Sequence, residues 1–200
     1  MKILAASDLH GDINLAKRLA EKAEKEKVDM VFLCGDLTLN EVSTEGLIGP
    51  FKEKGLKVGI IPGNHESPAT SNFLVEMYKL INLHGYSYYM NRVGMFGCGS
   101  ANMGLFQLSE EEIFDSLEKG HSYIEGTQKK IMVTHVHPSG SLIERFTHFF
   151  PGSGAVRDAI ERFQPDLALC GHVHEAEGIE EKIGKTKLIN VGRHGKIIEI

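Results

Sequence analysis

The sequence predicts an α/β protein, and two observations support that fold class. Short runs rich in Ile, Val and Leu alternate with longer segments whose apolar residues recur at helical spacing, which is the order of β-α-β units around a sheet. The chain has 200 residues, 42% of them hydrophobic and 24% charged, which is an ordinary globular composition. We therefore expect a single domain over residues 1–200.

The first part of the chain is predicted to contain three strands and three helices. Asp12 is the expected N-cap of the first helix, whose Leu15 and Leu19 fall on one face. Gly49 and Pro50 interrupt the second helix, which is the weakest of the three. The predicted strands are residues 3–7, 30–34 and 57–61, and the predicted helices are residues 12–27, 44–53 and 69–80.

The rest of the chain repeats this alternation. Residues 86–97 alternate like strands, and Ser109 with Glu112 has the spacing of a capping box, which predicts a helix to about residue 119. Residues 179–200 indicate strands joined by turns at residue 184 and at residues 192–195. The remaining predicted elements are strands 130–134 and 166–170 and helix 155–163.

Composition and charge narrow the classes of protein that fit. Cys34, Cys98 and Cys170 lack the CxxC spacing of a redox pair or zinc knuckle, so we expect reduced thiols buried in the core.

No apolar run approaches the roughly 18 residues of a membrane span, and an acidic residue comes too early for a secretory signal. A cytoplasmic protein without membrane contact is expected. The net charge of -5 argues against a surface that binds nucleic acid throughout, but not against a nucleotide substrate.

Five polar motifs each follow directly on a predicted strand, namely AASDLHGD, LCGDL, IPGNHE, VTHVHP and LCGHVH. Ligands of open α/β sheets bind at the carboxyl ends of strands, so the five motifs could meet in one pocket. Each motif alone is weak, but together they supply the imidazole and oxygen ligands that suit Mn, Fe, Zn, Co or Ni better than Ca or Mg alone. The candidate ligands are Asp8, His10, Asp36, Asn64, His135, His172 and His174.

The order DLH, GDL, GNHE, TH and GHVH resembles the motif series of the calcineurin-like metallophosphoesterase family, in its small single-domain prokaryotic type, over nearly the whole chain. The resemblance implies a β-sandwich of mixed sheets flanked by helices, with the active site at the C-terminal ends of strands. It also implies two divalent transition-metal ions, with manganese as the expected activating metal. The implied ligands are Asp8, His10, Asp36 and His174 for one ion, and Asp36, Asn64, His135 and His172 for the other.

The activity that this resemblance implies is hydrolysis of a small phosphodiester or phosphomonoester, with a nucleotide among the candidates. A metal-bound hydroxide would attack the phosphorus. His65, beside Asn64, matches the family's non-ligand histidine, which stabilises the transition state or protonates the leaving oxygen. Imidazole titrates near pH 6.5, or about neutrality, so it can serve in either role. His65 is thus the predicted catalytic residue.

Other residues near the motifs have open roles. His137 could support a ligand or touch substrate, and a structural or solvent-facing role fits equally well. The glycine-rich segment GMFGCGSANMG lacks the order of a dinucleotide fingerprint and is interpreted as a turn and loop beside the site, where Ser100 and Asn102 could face substrate. The long loop after His135 carries candidates for substrate selectivity. These are Arg145, His148, Phe149 and Phe150. The histidines expected to be surface or hydrogen-bonded residues are His84, His121 and His194.

Two other functions remain open at this point. A nuclease could use the same site, although the chain shows neither a DNA-binding extension nor a basic stripe. A non-catalytic interaction scaffold is the second alternative, since a retromer subunit resembles this fold and has lost the catalytic histidine, which is present here as His65. Exposed strand edges and the apolar residues Phe149 and Phe150 are compatible with a homodimer.

Overall fold

The computed structural model describes residues 1–147 and 149–200. The strands in this part of the chain are β1 Lys2–Ala6, β2 Met30–Cys34, β3 Val58–Ile61, β4 Ile81–Asn82, β5 Ser87–Met90, β6 Val93–Cys98, β7 Lys129–Thr134, β8 Leu167–Cys170, β9 Glu180–Ile183, β10 Thr186–Asn190 and β11 Lys196–Glu199. The α-helices are α1 Ile13–Lys25, α2 Gly49–Glu53, α3 Pro68–Tyr78, α4 Glu110–Ser122 and α5 Gly154–Phe163. Two 3-10 helices span Ile143–Phe146 and His174–Ala176. None of the helices described is both long and apolar enough to cross a membrane.

The strands form two mixed sheets. The first has the order β11-β1-β2-β3-β4, in which β1 to β4 are parallel and β11 is antiparallel to β1. The second has the order β5-β6-β7-β8-β10-β9, with parallel strands in the centre and antiparallel strands at both edges. Parallel strands are covered on both faces, which explains why these segments are nearly continuous apolar runs in the sequence.

The two sheets pack face to face, with helices on both outer faces. Phe32 and Ile61 of the first sheet share an apolar cluster with Ile131 and Leu169 of the second. Helices α1, α2 and α3 cover the outer face of the first sheet, while α4 and α5 cover that of the second. The predicted fold class, a β-sandwich of mixed sheets flanked by helices, is confirmed.

Both predicted helix caps are present. The Asp12 carboxylate accepts a hydrogen bond of 2.9 Å from the Leu15 amide at the start of α1. At the start of α4, the Ser109 hydroxyl accepts from the Glu112 amide at 3.2 Å and the Glu112 carboxylate accepts from the Ser109 amide at 2.8 Å. These bonds satisfy amide groups that the first turn of a helix leaves without partners.

The structure corrects two predicted elements. Only residues 49–53 of the predicted helix 44–53 are helical. Pro50 lies in the first turn of α2, where its missing amide hydrogen is not needed and its ring would clash with a helix continued further upstream. The first half of the glycine-rich segment is not a turn but part of strand β6, in agreement with the strand-like alternation of residues 86–97. A Cβ on Gly97 would lie 2.3 Å from the Val133 carbonyl oxygen, so only glycine permits this approach of β6 to β7.

The three cysteines are free and buried, as predicted. Burial raises the pKa of the Cys98 thiol to about 12 and also raises the pKa values of Cys34 and Cys170. The thiols therefore stay protonated at neutral pH and act as small core residues.

Replacing Phe32 by alanine should lower the free energy of unfolding by about 3–5 kcal/mol, because the truncation leaves a cavity between the two sheets. Phe32 is fully buried in the structure. Urea unfolding followed by circular dichroism measures the change. The matched control is Phe73→Ala, since Phe73 is 50% exposed and should lose less than about 1 kcal/mol. Equal losses in the two variants would contradict the packing described.

Candidate active site

Strands of both sheets end at the same edge of the sandwich, where the polar motifs lie. The loop after β1 carries Asp8 and His10, and the loops after β2 and β3 carry Asp36 and Asn64. From the second sheet, the loop after β7 carries His135 and that after β8 carries His172 and His174. The contacts described below bring all seven predicted ligands into one region.

Asp8, His10 and His174 form a first group, whose ligand atoms all lie within 4.8 Å of one another. His174 Nε2 is 3.5 Å from Asp8 Oδ1, and His10 Nε2 is 3.9 Å from the same oxygen. The two Nε2 atoms are 3.2 Å apart. Three donor atoms thus face a common point.

Asp36, His135 and His172 form a second group, whose ligand atoms also lie within 4.8 Å of one another. His135 Nε2 lies 3.3 Å from Asp36 Oδ2 and 3.0 Å from Asn64 Oδ1. The other ring nitrogen of His135 donates to the Cys34 carbonyl at 2.8 Å, since a carbonyl can only accept. That bond fixes the ring and leaves Nε2 facing the site.

Asp36 contacts both groups. Its Oδ2 atom lies 3.3 Å from His135 Nε2 in the second group and 3.9 Å from His10 Nε2 in the first. A single carboxylate oxygen therefore stands between the two sets of donors.

The donor set fits divalent transition metals. Asp8 Oδ1 and His172 Nε2 are buried and have no hydrogen-bond partner among the described residues. A buried polar atom without a partner costs about 1–3 kcal/mol, and coordination of a cation would remove that cost. The mixture of imidazole, carboxylate and amide donors matches what such cations prefer.

Electrostatics keep the carboxylates ionised and one imidazole neutral. Burial raises the pKa of Asp8, but the nearby rings of His174 and His135 outweigh it, so the pKa is lowered. Burial likewise opposes ionisation of Asp36, yet the charge on His135 and its hydrogen bond hold the pKa of Asp36 below its usual value. Burial lowers the pKa of His172 to about 3, so its ring is neutral and its nitrogen lone pair is available. Burial opposes the charge on His135, but the Asp36 carboxylate raises the pKa of His135 to about 10, so this ring would have to give up a proton to bind a metal.

The backbone is strained at four of the seven predicted ligands. The φ angles of Asp8, His10, Asp36 and His172 are 58°, 47°, 52° and 68°. Each such residue costs on the order of 1–3 kcal/mol, which the surrounding contacts must supply. Strain of this kind clusters at functional sites, and here it directs the side chains of four ligand-type residues toward one point.

Glycine is required beside Asp36 for a steric reason. A Cβ on Gly63 would lie 2.0 Å from Asp36 Oδ1, and a Cβ on Gly35 would lie 2.6 Å from His135 Nδ1. Gly35 also has a φ of +90°, which disfavours other residues. The glycines of GDL and GNHE therefore let the two loops approach each other closely.

His65, the predicted catalytic residue, lies beside Asp36 and is only partly buried. Its amide donates to Asp36 Oδ1 at 2.9 Å, and its ring nitrogen Nε2 is 3.9 Å from Asp36 Oδ2. The other ring nitrogen, Nδ1, donates to Asn40 Oδ1 at 2.6 Å. Asn40 was not identified from the sequence, where one polar residue beyond the GDL motif gives no distinct signal. The bond fixes the ring and leaves Nε2 facing the cleft.

Glu66 is a second residue that sequence reasoning missed. Its fully buried carboxylate accepts hydrogen bonds from the amides of Leu37 and Thr38, both at 3.1 Å, and from the amide of Gly63 at 2.7 Å. Burial and the nearby charge of Asp36 raise the pKa of Glu66. Its place as the last letter of GNHE was the available signal. Glu66 thus ties the loop after β2 to the loop after β3.

A cleft of about 250 Å³ opens over these groups. The residues that line it are His10, Asp36, Asn64, His65, Phe150, His172, His174 and Glu175. Phe150 was predicted as a selectivity residue, and it contacts His172 with ring centroids 5.0 Å apart. Its neighbour Phe149 and Arg145 are exposed on the same loop, whereas His148 lies outside the described residues.

Three other residues proposed to face substrate do not line the cleft. His137 and Ser100 are buried, and no hydrogen-bond partner of their side chains is found in the described part of the chain. Asn102 instead donates to the Glu110 carboxylate at 3.0 Å. The predicted turn-and-loop residues 99–104 therefore support the fold beside the site and do not form its wall.

The histidines without a motif are hydrogen-bonded, as predicted. His84 Nδ1 accepts from the Gly99 amide at 3.0 Å, and His121 accepts from the Lys130 ammonium at 2.9 Å. His194 Nδ1 pairs with Glu177 at 3.0 Å. None of the three lines the cleft described above.

Solved structures of other proteins share this fold. TT1561 of Thermus thermophilus has a TM-score of 0.76 at 17% identity, over 98% of this chain and 97% of that chain. An archaeal protein characterised as a novel phosphodiesterase has a TM-score of 0.58 at 19% identity, over 96% and 84%. A dimetal phosphatase from Danio rerio has a TM-score of 0.63 at 10% identity, over 96% and 87%. Identities this low show likeness of fold alone.

Sequence comparison defines the family. A search of curated proteins finds no significant match. The profile of the family described as calcineurin-like phosphoesterase matches residues 1–176, which is most of the chain and contains every predicted ligand. The chain therefore belongs to the calcineurin-like phosphoesterase family, whose class of activity is the hydrolysis of phosphate esters.

Proposed function

We propose that this phosphoesterase hydrolyses a small phosphodiester or phosphomonoester at a dinuclear metal centre, with His65 assisting the reaction. The observation that carries the proposal is that the Asp36 carboxylate belongs to one donor group and also contacts the other, beneath a cleft that also presents His65. One metal would not need both groups. The double arrangement supports two ions with Asp36 as the bridge.

The proposed ligand assignment follows the two groups of donors. A carboxylate can give an oxygen to each of two cations, while the amide oxygen of Asn64 adds a donor without adding negative charge. Two divalent ions against two carboxylates leave a positive site that attracts phosphate. The proposed ligands are Asp8, His10, Asp36 and His174 for the first ion, and Asp36, Asn64, His135 and His172 for the second.

Bound cations would supply an activated water and offset the negative charge of the phosphate. The chain itself contributes His65, whose Nε2 lies in the cleft while Nδ1 is held by Asn40. Because Nδ1 carries the proton that it donates to Asn40, Nε2 can donate to a phosphate oxygen or give a proton to the leaving oxygen only when the ring is an imidazolium, with a proton on each nitrogen. Asn40 removes the rotational freedom of the ring, so that its orientation is set before substrate binds.

The cleft supports a small substrate. Its volume of about 250 Å³ fits a phosphate group with a compact organic part. Glu175 lines the cleft, and its carboxylate would repel the further phosphates of a nucleic-acid strand. The fold is shared by a phosphodiesterase and by a phosphatase, so ester type is left open in the proposal.

A non-catalytic scaffold is the alternative function, and the His65–Asn40 bond favours an enzyme over it, because a scaffold gains nothing from an oriented imidazole. Single-domain organisation over residues 1–200, manganese as the activating ion, a cytoplasmic location and a homodimer stay predictions from the sequence.

Asp36→Asn should bind fewer than two metal ions per chain and lose hydrolysis, because the amide replaces the bridging carboxylate. His65→Ala should keep both ions and lose turnover, by roughly 100-fold or more for a group that transfers a proton or stabilises charge. His135→Ala should weaken the second ion more than the first. Elemental analysis of protein reloaded with Mn, Ni, Co or Zn measures occupancy, and chromogenic phosphodiester and phosphomonoester substrates measure turnover.

Two results would contradict these assignments. An Asp36→Asn variant that retains two ions would exclude the bridge, and equal loss of both ions from His135→Ala would exclude the division of ligands. Wild-type protein that holds two ions and hydrolyses neither substrate would favour the scaffold.

Asn40→Ala should lower kcat by about tenfold, which corresponds to about 1.4 kcal/mol, while metal occupancy stays at the wild-type level. The reason is that His65 loses the bond that orients it, and Asn40 is not among the proposed ligands. Steady-state kinetics with the better chromogenic substrate measure the effect. Asn14→Ala on the exposed face of α1 is the matched control and should leave kcat unchanged. A normal kcat in Asn40→Ala would show that the bond does not matter for the reaction.

A further inference from the structure

Phe150 gives the cleft an apolar wall. Eight of the described residues line the cleft, and seven of them are polar or charged, while Phe150 is apolar. Its ring meets that of His172 nearly edge to face, with centroids 5.0 Å apart and planes at 74°. The same side chain packs against the apolar cluster beneath α4 and α5. The ring is therefore held between core and cleft.

The loop that carries Phe150 is fixed by hydrogen bonds of its own. The Glu144 carboxylate accepts from the amide of Gly140 at 2.6 Å and from that of Gly152 at 2.8 Å, which joins the two ends of the loop. The Thr147 hydroxyl accepts from the amides of Phe149 and Phe150, both at 3.2 Å. These bonds hold the backbone amides of both aromatic residues in place.

The loop also exposes two large apolar side chains that are close to Phe150 in the sequence. Phe149 is 81% exposed and Phe146 is 51% exposed. A polar cleft with an apolar aromatic wall is typical of a ligand-binding site. A flat ring offers a face on which planar groups stack, and every nucleobase has such a face.

The charge at the cleft restricts what the ligand can carry. Glu175 lines the cleft together with Phe150. Its carboxylate disfavours a second phosphate in that space but accepts hydrogen bonds from the amino or hydroxyl groups of a neutral ligand. A planar, uncharged group that carries hydrogen-bond donors satisfies both residues.

We propose that Phe150, together with the exposed Phe149 beside it in the chain, is a subsite for the base of a nucleotide that carries a single phosphate ester. This inference rests on the proposed phosphoesterase function and names its substrate class. The base contacts the phenyl rings while the phosphate lies over the proposed metal ligands.

Substrates that differ only in the base test the subsite. Adenosine 5′-monophosphate is compared with ribose 5-phosphate, and the 5′-methyl diesters of the two are compared in the same way, with ³¹P NMR following hydrolysis by the metal-loaded enzyme. The variants are Phe150→Leu and Phe149→Leu, which keep apolar bulk and remove the ring. Tyr89→Leu is the matched control, since Tyr89 is 58% exposed on the edge strand β5. Metal content is measured for each variant because Phe150 contacts His172.

The wild-type enzyme should hydrolyse the nucleotide with a kcat/KM at least about fivefold above that for the ribose ester, the low end of base stacking on an aromatic side chain. Each Phe variant should lower that ratio, and Phe150→Leu should lower it by about fivefold. The control should leave the ratio unchanged. Equal kcat/KM for the paired substrates, or an unchanged ratio in both Phe variants, would overturn the subsite while leaving the proposed function intact.

Binding gives a readout that does not depend on turnover. Saturation-transfer NMR should show transfer from the protein to the adenine protons, reduced in Phe149→Leu and kept in the control. If neither substrate is hydrolysed with any metal, the proposed function fails, and saturation transfer then decides the subsite separately. Absence of transfer to adenine would overturn the subsite.

Discussion

A carboxylate that is 2% exposed must be compensated by its neighbours, and Asp36 is compensated by groups from three different loops. The amide of His65 comes from the loop after β3, the ring of His10 from the loop after β1, and the ring of His135 from the second sheet. Because these contacts cross between the sheets, the arrangement of the sandwich and the arrangement of the site depend on each other. The interface between the two sheets behind these residues is apolar. The charged and polar groups at its edge can be buried there because they contact one another.

The loops after β2 and β3 approach each other closely, and this approach depends on residues that are not candidate ligands. Gly63 leaves room for the Asp36 carboxylate, and Glu66 joins the two loops by accepting three amide hydrogen bonds. Left-handed backbone at four ligand-type residues adds a conformational cost. A cation bound there would offset part of that cost by coordinating atoms that otherwise lack partners, and metal binding would then also stabilise this edge.

Much of this organisation could be predicted from the sequence. Strands appear as apolar runs because parallel strands are buried on both faces, and Asp12 and Ser109 mark helix starts because their side chains accept amide bonds locally. The motifs that follow the strands predicted that the candidate ligands lie together, because the carboxyl ends of parallel strands meet at one edge of a sheet. Such signals are local or periodic, which is why they survive in a single sequence.

What the sequence could not predict depends on contacts between distant segments. Asn40 can be recognised only once the structure shows its amide oxygen bonded to the His65 ring. Alternation over residues 86–97 predicted strands, but that glycine at Gly97 lets β6 lie close to β7 is visible only in the packed sheet. Ser100 and Asn102 have the residue types of a substrate contact, but Ser100 is buried, Asn102 bonds to Glu110, and neither lines the cleft. Residue type and spacing thus define candidates, and the direction of each side chain depends on the whole fold.

The buried cysteines have a use that follows from their burial. Cys34 ends β2 directly before the motif of Asp36, Cys170 ends β8 directly before that of His172, and Cys98 ends β6. A protonated thiol that is closed to solvent reacts with an alkylating reagent only when the surrounding structure opens. The alkylation rate of each cysteine therefore measures how often the end of its strand separates from the neighbouring strands.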